Sequence, residues 1–271
     1  MLTKSIKVIS FFLFASFTIN AQQRDSLSAG KVDFKIGAFF NSYLHYYGRS
    51  DSLESSGFFP VGELWIDKSL YLTASPVFVT GKGRSGQYAG TVLVGGYRFG
   101  KENRSSWNLY AVKPIYKEGS QLIQSALQWQ FAGSGTWLNR ILNITGGADV
   151  KISEQVDYGA QAGVDHIFRY ELKGQSVVVV DPSFYVHAGT RQFSRTYYKE
   201  SGFLFFPGVQ QEVTEKVKRF DILSYEISVP IVFAKGKMQM IGSPSYVMPQ
   251  NLAGERGRNK FYGLIGAKFN F

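Results

Sequence analysis

The chain has 271 residues, of which 44% are hydrophobic, 16% aromatic and only 18% charged, with no cysteine and a formal net charge of +10. That composition excludes a disordered tail, a disulfide scaffold, a thiolate metal site and a cysteine nucleophile. Twenty-three Phe, 16 Tyr and 29 Gly speak for many short strands joined by tight turns.

The first expected element is an export leader over residues 1–21. Lys4 and Lys7 precede the uncharged apolar stretch Val8–Ile19, which at 12 residues is too short to span a bilayer as a helix, and Ala21 supplies a small residue for cleavage. The remainder, 22–271, reads as one domain. From Lys31 onward apolar and polar residues alternate with period two. Ile123, Leu127, Trp129 and Phe131 alternate with Gln124, Gln128 and Gln130, and Leu223, Tyr225, Ile227 and Ile231 alternate with Ser224, Glu226 and Ser228. Strands are predicted near 32–47, 57–66, 69–79, 88–99, 106–116, 121–132, 137–150, 156–170, 175–190, 220–234, 237–247 and 260–271. Glycine pairs such as Gly81-Lys82-Gly83, Gly133-Ser134-Gly135, Lys173-Gly174 and Lys235-Gly236 are read as turns. No stretch of this domain shows a helical stripe.

Many of these strands are long enough to cross a bilayer when tilted. Their apolar faces carry aromatics near the ends, while the opposite faces carry Asp, Gln, Arg and Ser. The expected fold is therefore all-β, a transmembrane antiparallel barrel of about twelve strands. With the first strand starting inside the cell envelope, the long connections 48–56, 191–219 and 248–259 fall on the outer side and short ones such as 67–68 and 235–236 on the inner side. Most of the positive excess lies in the outer loops, which suits anionic lipopolysaccharide and argues against nucleic acid as a partner.

In the last strand Phe261, Gly263, Ile265, Ala267, Phe269 and Phe271 share one face. This pattern resembles the C-terminal signal that the bacterial outer-membrane assembly machinery recognises, with Phe269 and Phe271 as its aromatics. Ser56-Gly57-Phe58-Phe59, Gly95-Gly96-Tyr97-Arg98-Phe99, Tyr225-Glu226-Ile227-Ser228-Val229-Pro230, Pro244-Ser245-Tyr246 and Pro249-Gln250-Asn251 resemble a family of Gram-negative outer-membrane barrels. The resemblance implies a barrel in the cell outer membrane and carries over no catalytic residue.

Motifs for other chemistry lack their context. Gly81, Gly83 and Gly86 fit GxGxxG, and Gly95 to Lys101 fits GxxxxGK, but no helix follows either and Glu102 stands where Ser or Thr would meet magnesium. His45, His166 and His187 show no metal-binding spacing. Asp181, Ser183 and His187 share a face, yet the first and last stand about 20 Å apart at about 3.3 Å per residue. No catalytic, cofactor or metal residue is assigned. Lys35, Glu63, Arg98, Asp149, Asp165, Arg169, Asp181, Glu226, Lys237 and Lys268 are expected to face the lumen, either as compensating ion pairs or as the wall of a hydrated channel. Tyr197, Tyr198, Phe203, Phe205 and Phe206 are expected in an outer loop, as a lid or a ligand surface. Two functions remain in view: a passive channel for small solutes with weak anion preference, or a surface barrel that binds glycan, lipopolysaccharide or a protein partner.

Overall fold

The computed structural model describes residues 32–47, 49–50, 55–81, 84–117, 127–153, 155–201, 209–250 and 257–271. Its strands in chain order are β1 (Val32–Asn41), β2 (His45–Tyr46), β3 (Arg49–Ser50), β4 (Ser56–Ile66), β5 (Leu70–Gly81), β6 (Arg84–Lys101) and β7 (Ser105–Tyr116). There follow β8 (Trp129–Trp137), β9 (Asn143–Ile152), β10 (Val156–Asp165), β11 (Phe168–Leu172), β12 (Ser176–Val180) and β13 (Ser183–Ser201). The last four are β14 (Val209–Ser228), β15 (Ile231–Lys235), β16 (Met238–Pro249) and β17 (Lys260–Asn270). Apart from the small hairpin of β2 and β3, they form one antiparallel sheet.

β10 continues as β11, β12 as β13 and β14 as β15, so the sheet has twelve staves, and it closes because β17 pairs with both β16 and β1. The seam runs from Lys35↔Asn270 to Asn41↔Leu264. Three neighbouring staves are interrupted at His166–Ile167, Asp181–Pro182 and Val229–Pro230. Proline cannot donate to a ladder, and the surrounding backbone bridges the gaps. His166 N–H donates to Pro182 O at 3.2 Å, Asp181 N–H to Pro230 O at 2.9 Å and Val229 N–H to Pro244 O at 3.0 Å.

Alternation decides the two faces. Phe34, Leu72, Leu109, Ile144, Phe261 and Ile265 point outward and remain 45–70% exposed, whereas Phe39, Phe59, Val61, Val77, Val92 and Val112 point inward and are buried. An apolar outside this extensive suits hydrocarbon, not water. Aromatic belts edge it. Tyr97, Phe99, Trp107 and Trp137 follow one another ring to ring near the short turns, and Phe58, Phe78 and Tyr88 do so near the long loops.

Several boundaries differ from the sequence expectation. Gly133-Ser134-Gly135 is not a turn; it lies inside β8, and the chain turns between Trp137 and Asn143. The Trp107 ring occupies the space where a side chain on Gly135 would stand, so that glycine serves close packing between strands. The first strand stops at Asn41 instead of continuing to residue 47, because the following segment turns inward. Segment 191–219 is mostly not loop. β13 and β14 pair with each other from Thr190↔Phe220 to Ser201↔Val209, beyond the last partners offered by β10 and β16. Tyr197 and Tyr198 therefore belong to β13, and Phe203, Phe205 and Phe206 lie outside the described residues. Leu223, expected on the lipid face, is 1% exposed. A register shift between His187 and Ala188 turns it inward toward Gly189, while Ile227 and Ile231 stay outside at 45% and 43% exposure.

Candidate functional site in the lumen

The inner wall near the short turns carries a cluster built by six adjacent staves. On β1 and β4, Lys35 faces Glu63 across the ladder, and Trp65 follows Glu63 on the same face. Lys35 Nζ and Arg98 Cζ each lie 5.0 Å from the Trp65 ring centroid. The indole is fixed in place. Its Nε1–H donates to Glu63 Oε2 at 3.1 Å, and its ring stacks on Tyr71 at 4.8 Å. Tyr71 O–H in turn donates to Asn108 Oδ1 at 3.1 Å. Lys268 from β17 donates to Glu63 Oε1, so both oxygens of this buried carboxylate are committed.

The facing wall is acidic. Counting from β1, β4 is the second stave and β10 the eighth, which places them on opposite sides of the ring. At the end of β10 the Asp165 carboxylate accepts from Asn143 Nδ2 at 2.7 Å, and the Asp181 carboxyl lies beside it with its Oδ1 without a partner among the described residues. Between the two walls, Asp149 and Lys151 form a buried pair at 2.8 Å. The lumen therefore mixes compensated pairs with charges that no opposite charge holds.

Arg169, across the β11–β12 ladder from the inward Val179, lies on the inner face near the short turn, its Nε 3.5 Å from Glu171 Oε1 and both side chains exposed. One expected lumen residue lies elsewhere. Lys237 sits exposed in the two-residue turn between β15 and β16 and is not on the inner wall. Asp181, Ser183 and His187 do not assemble into a triad. Asp181 meets Asp165, the Ser183 hydroxyl lies 2.7 Å from that of Ser228, and His187 Nε2 is 3.8 Å from Glu226 Oε2.

Sequence reasoning missed the occupant of the lumen at the end opposite the short turns. After β1 the chain folds inward. Ser42 N–H donates to Gly263 O and Gly263 N–H to Ser42 Oγ, both at 2.9 Å. Tyr43, Leu44 and Tyr47 are 6–7% exposed, and Leu44 joins the apolar cluster of Phe39, Phe59 and Leu264. His45 meets the Tyr262 ring edge-on at 4.4 Å, Tyr47 lies 5.1 Å from the His187 ring, and Lys260 Nζ is 4.8 Å from the Tyr43 ring. Tyr262 O–H donates to Glu226 Oε1 at 2.8 Å. The segment thus rests on β17 on one side and on β13 on the other. Alternation carries no signal for such a loop; the one local hint is its run of Tyr43, Leu44, Tyr46 and Tyr47 where a solvated loop would be polar.

A trough of about 820 Å³ indents the outside of the wall over Gly95, Ala111, Gly133 and Ala148, and is lined almost wholly by apolar side chains. It belongs to the outer surface and not to the lumen.

No protein-family model matches the chain, and no curated protein does. Among solved structures it is similar to the KdgM porin at 9% identity and a TM-score of 0.49, over 88% of this chain and 99% of that one. It is similar to the COG4313 outer membrane channel from Pseudomonas putida F1 at 12% identity and 0.46, over 91% and 97%. LpxR from Salmonella typhimurium gives 10% identity and 0.45, over 87% and 99%. All three are outer-membrane β-barrels. The architecture of this chain rests on its own strand pairing: a closed barrel with an apolar outside, a charged inner wall and an inward-folded outer segment.

Proposed function

We propose that the protein is an integral outer-membrane barrel and a passive channel for small solutes with a weak anion preference, narrowed at its long-loop end by the inward-folded residues 42–47. The carrying observation is that Lys35, Arg98 and Asp181 point into the barrel, are only half-buried and make no ion pair among the described residues, so water reaches them within the wall. A barrel sealed for structure alone would bury such charges as pairs. The export leader expected over residues 1–21 and the aromatic belts support the outer-membrane address. Its partners in this reading are outer-membrane lipid, lipopolysaccharide at the basic loop end and the barrel assembly machinery.

Cations along a narrow low-dielectric wall favour anions, and Asp165, Asp181 and Glu226 oppose them, which keeps the preference weak. Purified protein in planar bilayers tests the reading. Excising residues 45–52 should raise conductance, and Arg98→Glu should move the reversal potential toward cation preference. An excised barrel that inserts yet never conducts would overturn the channel.

One observation favours a second reading, surface binding. From Arg191↔Arg219 to Ser201↔Val209 the backbones of β13 and β14 pair only with each other among the described strands, a ribbon of about 35 Å at about 3.3 Å per residue, a reach that a bare channel does not need. Loss of cell-surface adhesion to immobilised glycan or lipopolysaccharide on removing the ribbon, with conductance unchanged, would support it.

A further inference from the structure

We propose that Lys35 and Arg98, gathered over the Trp65 indole, form a binding site in the lumen for a small solute bearing a carboxylate or phosphate. The site deepens the channel reading and rests on it for the solute's access.

Three observations meet here. Each cationic group lies 5.0 Å from the same ring centroid, so the two are at most about 10 Å apart, a span that one or two oxyanion groups of a small solute can bridge. Neither makes an ion pair among the described residues. The carboxylate across the ladder, Glu63, has one oxygen on Lys268 and the other on the Trp65 indole N–H, and Asp33, two residues before Lys35, is the other acid whose field reaches Lys35. Lys35, Arg98 and Lys268 against Glu63 and Asp33 leave a net positive site. A ring face is a weaker partner for a guanidinium than an oxyanion, which Arg engages through a fork of donors. The platform is also preorganised, because Glu63 and Tyr71 fix the indole from its edge and its face, so binding orders little besides two side-chain tips.

The chain supplies its own reporter. Of its four tryptophans, Trp107, Trp129 and Trp137 lie on the outward face with the belt aromatics, and Trp65 alone lies within the lumen. Folded full-length protein in detergent at low ionic strength is titrated with succinate, with inorganic phosphate and with chloride, following tryptophan emission. A saturable change with succinate, phosphate or both, absent with chloride, is expected, and whichever saturates identifies the oxyanion. Arg98→Gln and Lys35→Gln should each weaken the midpoint at least tenfold. Trp65→Phe should remove the signal while calorimetry still detects binding. Heat-modifiable migration checks folding, and if Arg98→Gln fails that check, Lys35→Gln alone carries the test. Saturation unchanged in a folded variant, or a response indistinguishable from chloride, overturns the site. Conductance without saturable binding would remove the site and leave the channel; saturable binding in an excised barrel that stays silent would remove the channel and leave the site.

Discussion

Gly96 is small because Tyr71 lies over it: a Cβ placed there would stand 2.4 Å from Tyr71 Cζ. Gly135 under Trp107 and Gly163 under Tyr185 repeat the arrangement. Gly96→Val should force Tyr71 off Asn108 and cost about 1–3 kcal/mol, read by urea unfolding in lipid vesicles. Gly62→Ala, where nothing lies within 4 Å, should change stability by less than about 0.5 kcal/mol and serves as the control. These glycines also show what one sequence hides. Gly133 and Gly135 look like turn residues beside Ser134, and only the Trp107 ring on the neighbouring strand explains them as strand positions.

His45 carries a second expectation at this scale. Burial in the docked segment, with His187 beside it, pulls its imidazole down to about 4. Near it lie His187, Tyr43, Tyr262, Glu226 behind Tyr262, and Lys260 over Tyr43, among others. The docked state prefers the neutral ring, and a free loop histidine titrates near about 6.5. Docking is therefore fully supported above about pH 6.5 and loses that support as pH falls toward about 4. Acidifying the loop side of a bilayer should raise open probability across that window, and His45→Gln should flatten the response. A pH-independent wild type would remove His45 from the closure.

Among the strands, Ile227 and Leu223 separate what alternation reads from what it cannot. Ile227→Arg places a charge on the outer face and should cost about 2–4 kcal/mol if it sits at the midplane. Leu223→Ala should instead open an inner cavity against Gly189 and cost about 2–5 kcal/mol. The two are told apart by Leu223→Met, which keeps the volume and should recover most of the loss, whereas no charged residue should rescue position 227. The period-two pattern assigns Ile227 and Ile231 correctly because the interruption between them, Val229–Pro230, spans two residues and leaves the parity unchanged. It fails at Leu223 because Leu223 is itself the extra residue of β14 opposite the His187–Ala188 step, which flips every face beyond it. The same limit hid the extent of β13 and β14, whose polar rungs look like loop to any reading that equates strands with apolar faces.

For the molecule as a whole, twelve strands were legible because repeated alternation, tight turns and an even count constrain one another, and Asp67 and Lys68, both with positive φ, make the short turn that spacing predicted. The cation cluster was legible only as separate inward residues; that Lys35 and Arg98 share one ring needs the register of β1, β4 and β6. The freestanding ribbon makes one prediction here. Replacing residues 192–218 with a short turn should leave unfolding within about 1 kcal/mol and preserve heat-modifiable migration, because the barrel contacts end at Thr190 and its bond to Asp157. A variant that no longer folds would show the ribbon to be part of the barrel's own stability.

The seam has a consequence for the order of folding. β1 meets β17 across more than two hundred residues of intervening chain, so this pairing is the most distant in sequence and its closure entropy must be met after nearly every hairpin has zipped. Segment 42–47 adjoins β1 but finds its seat on Gly263 and Tyr262 of β17 and on His187 of β13. That seat does not exist in an open sheet. An unfinished barrel must therefore leave the segment undocked, and a protease that cuts between residues 45 and 52 would tell closed molecules from those still waiting for their last strand.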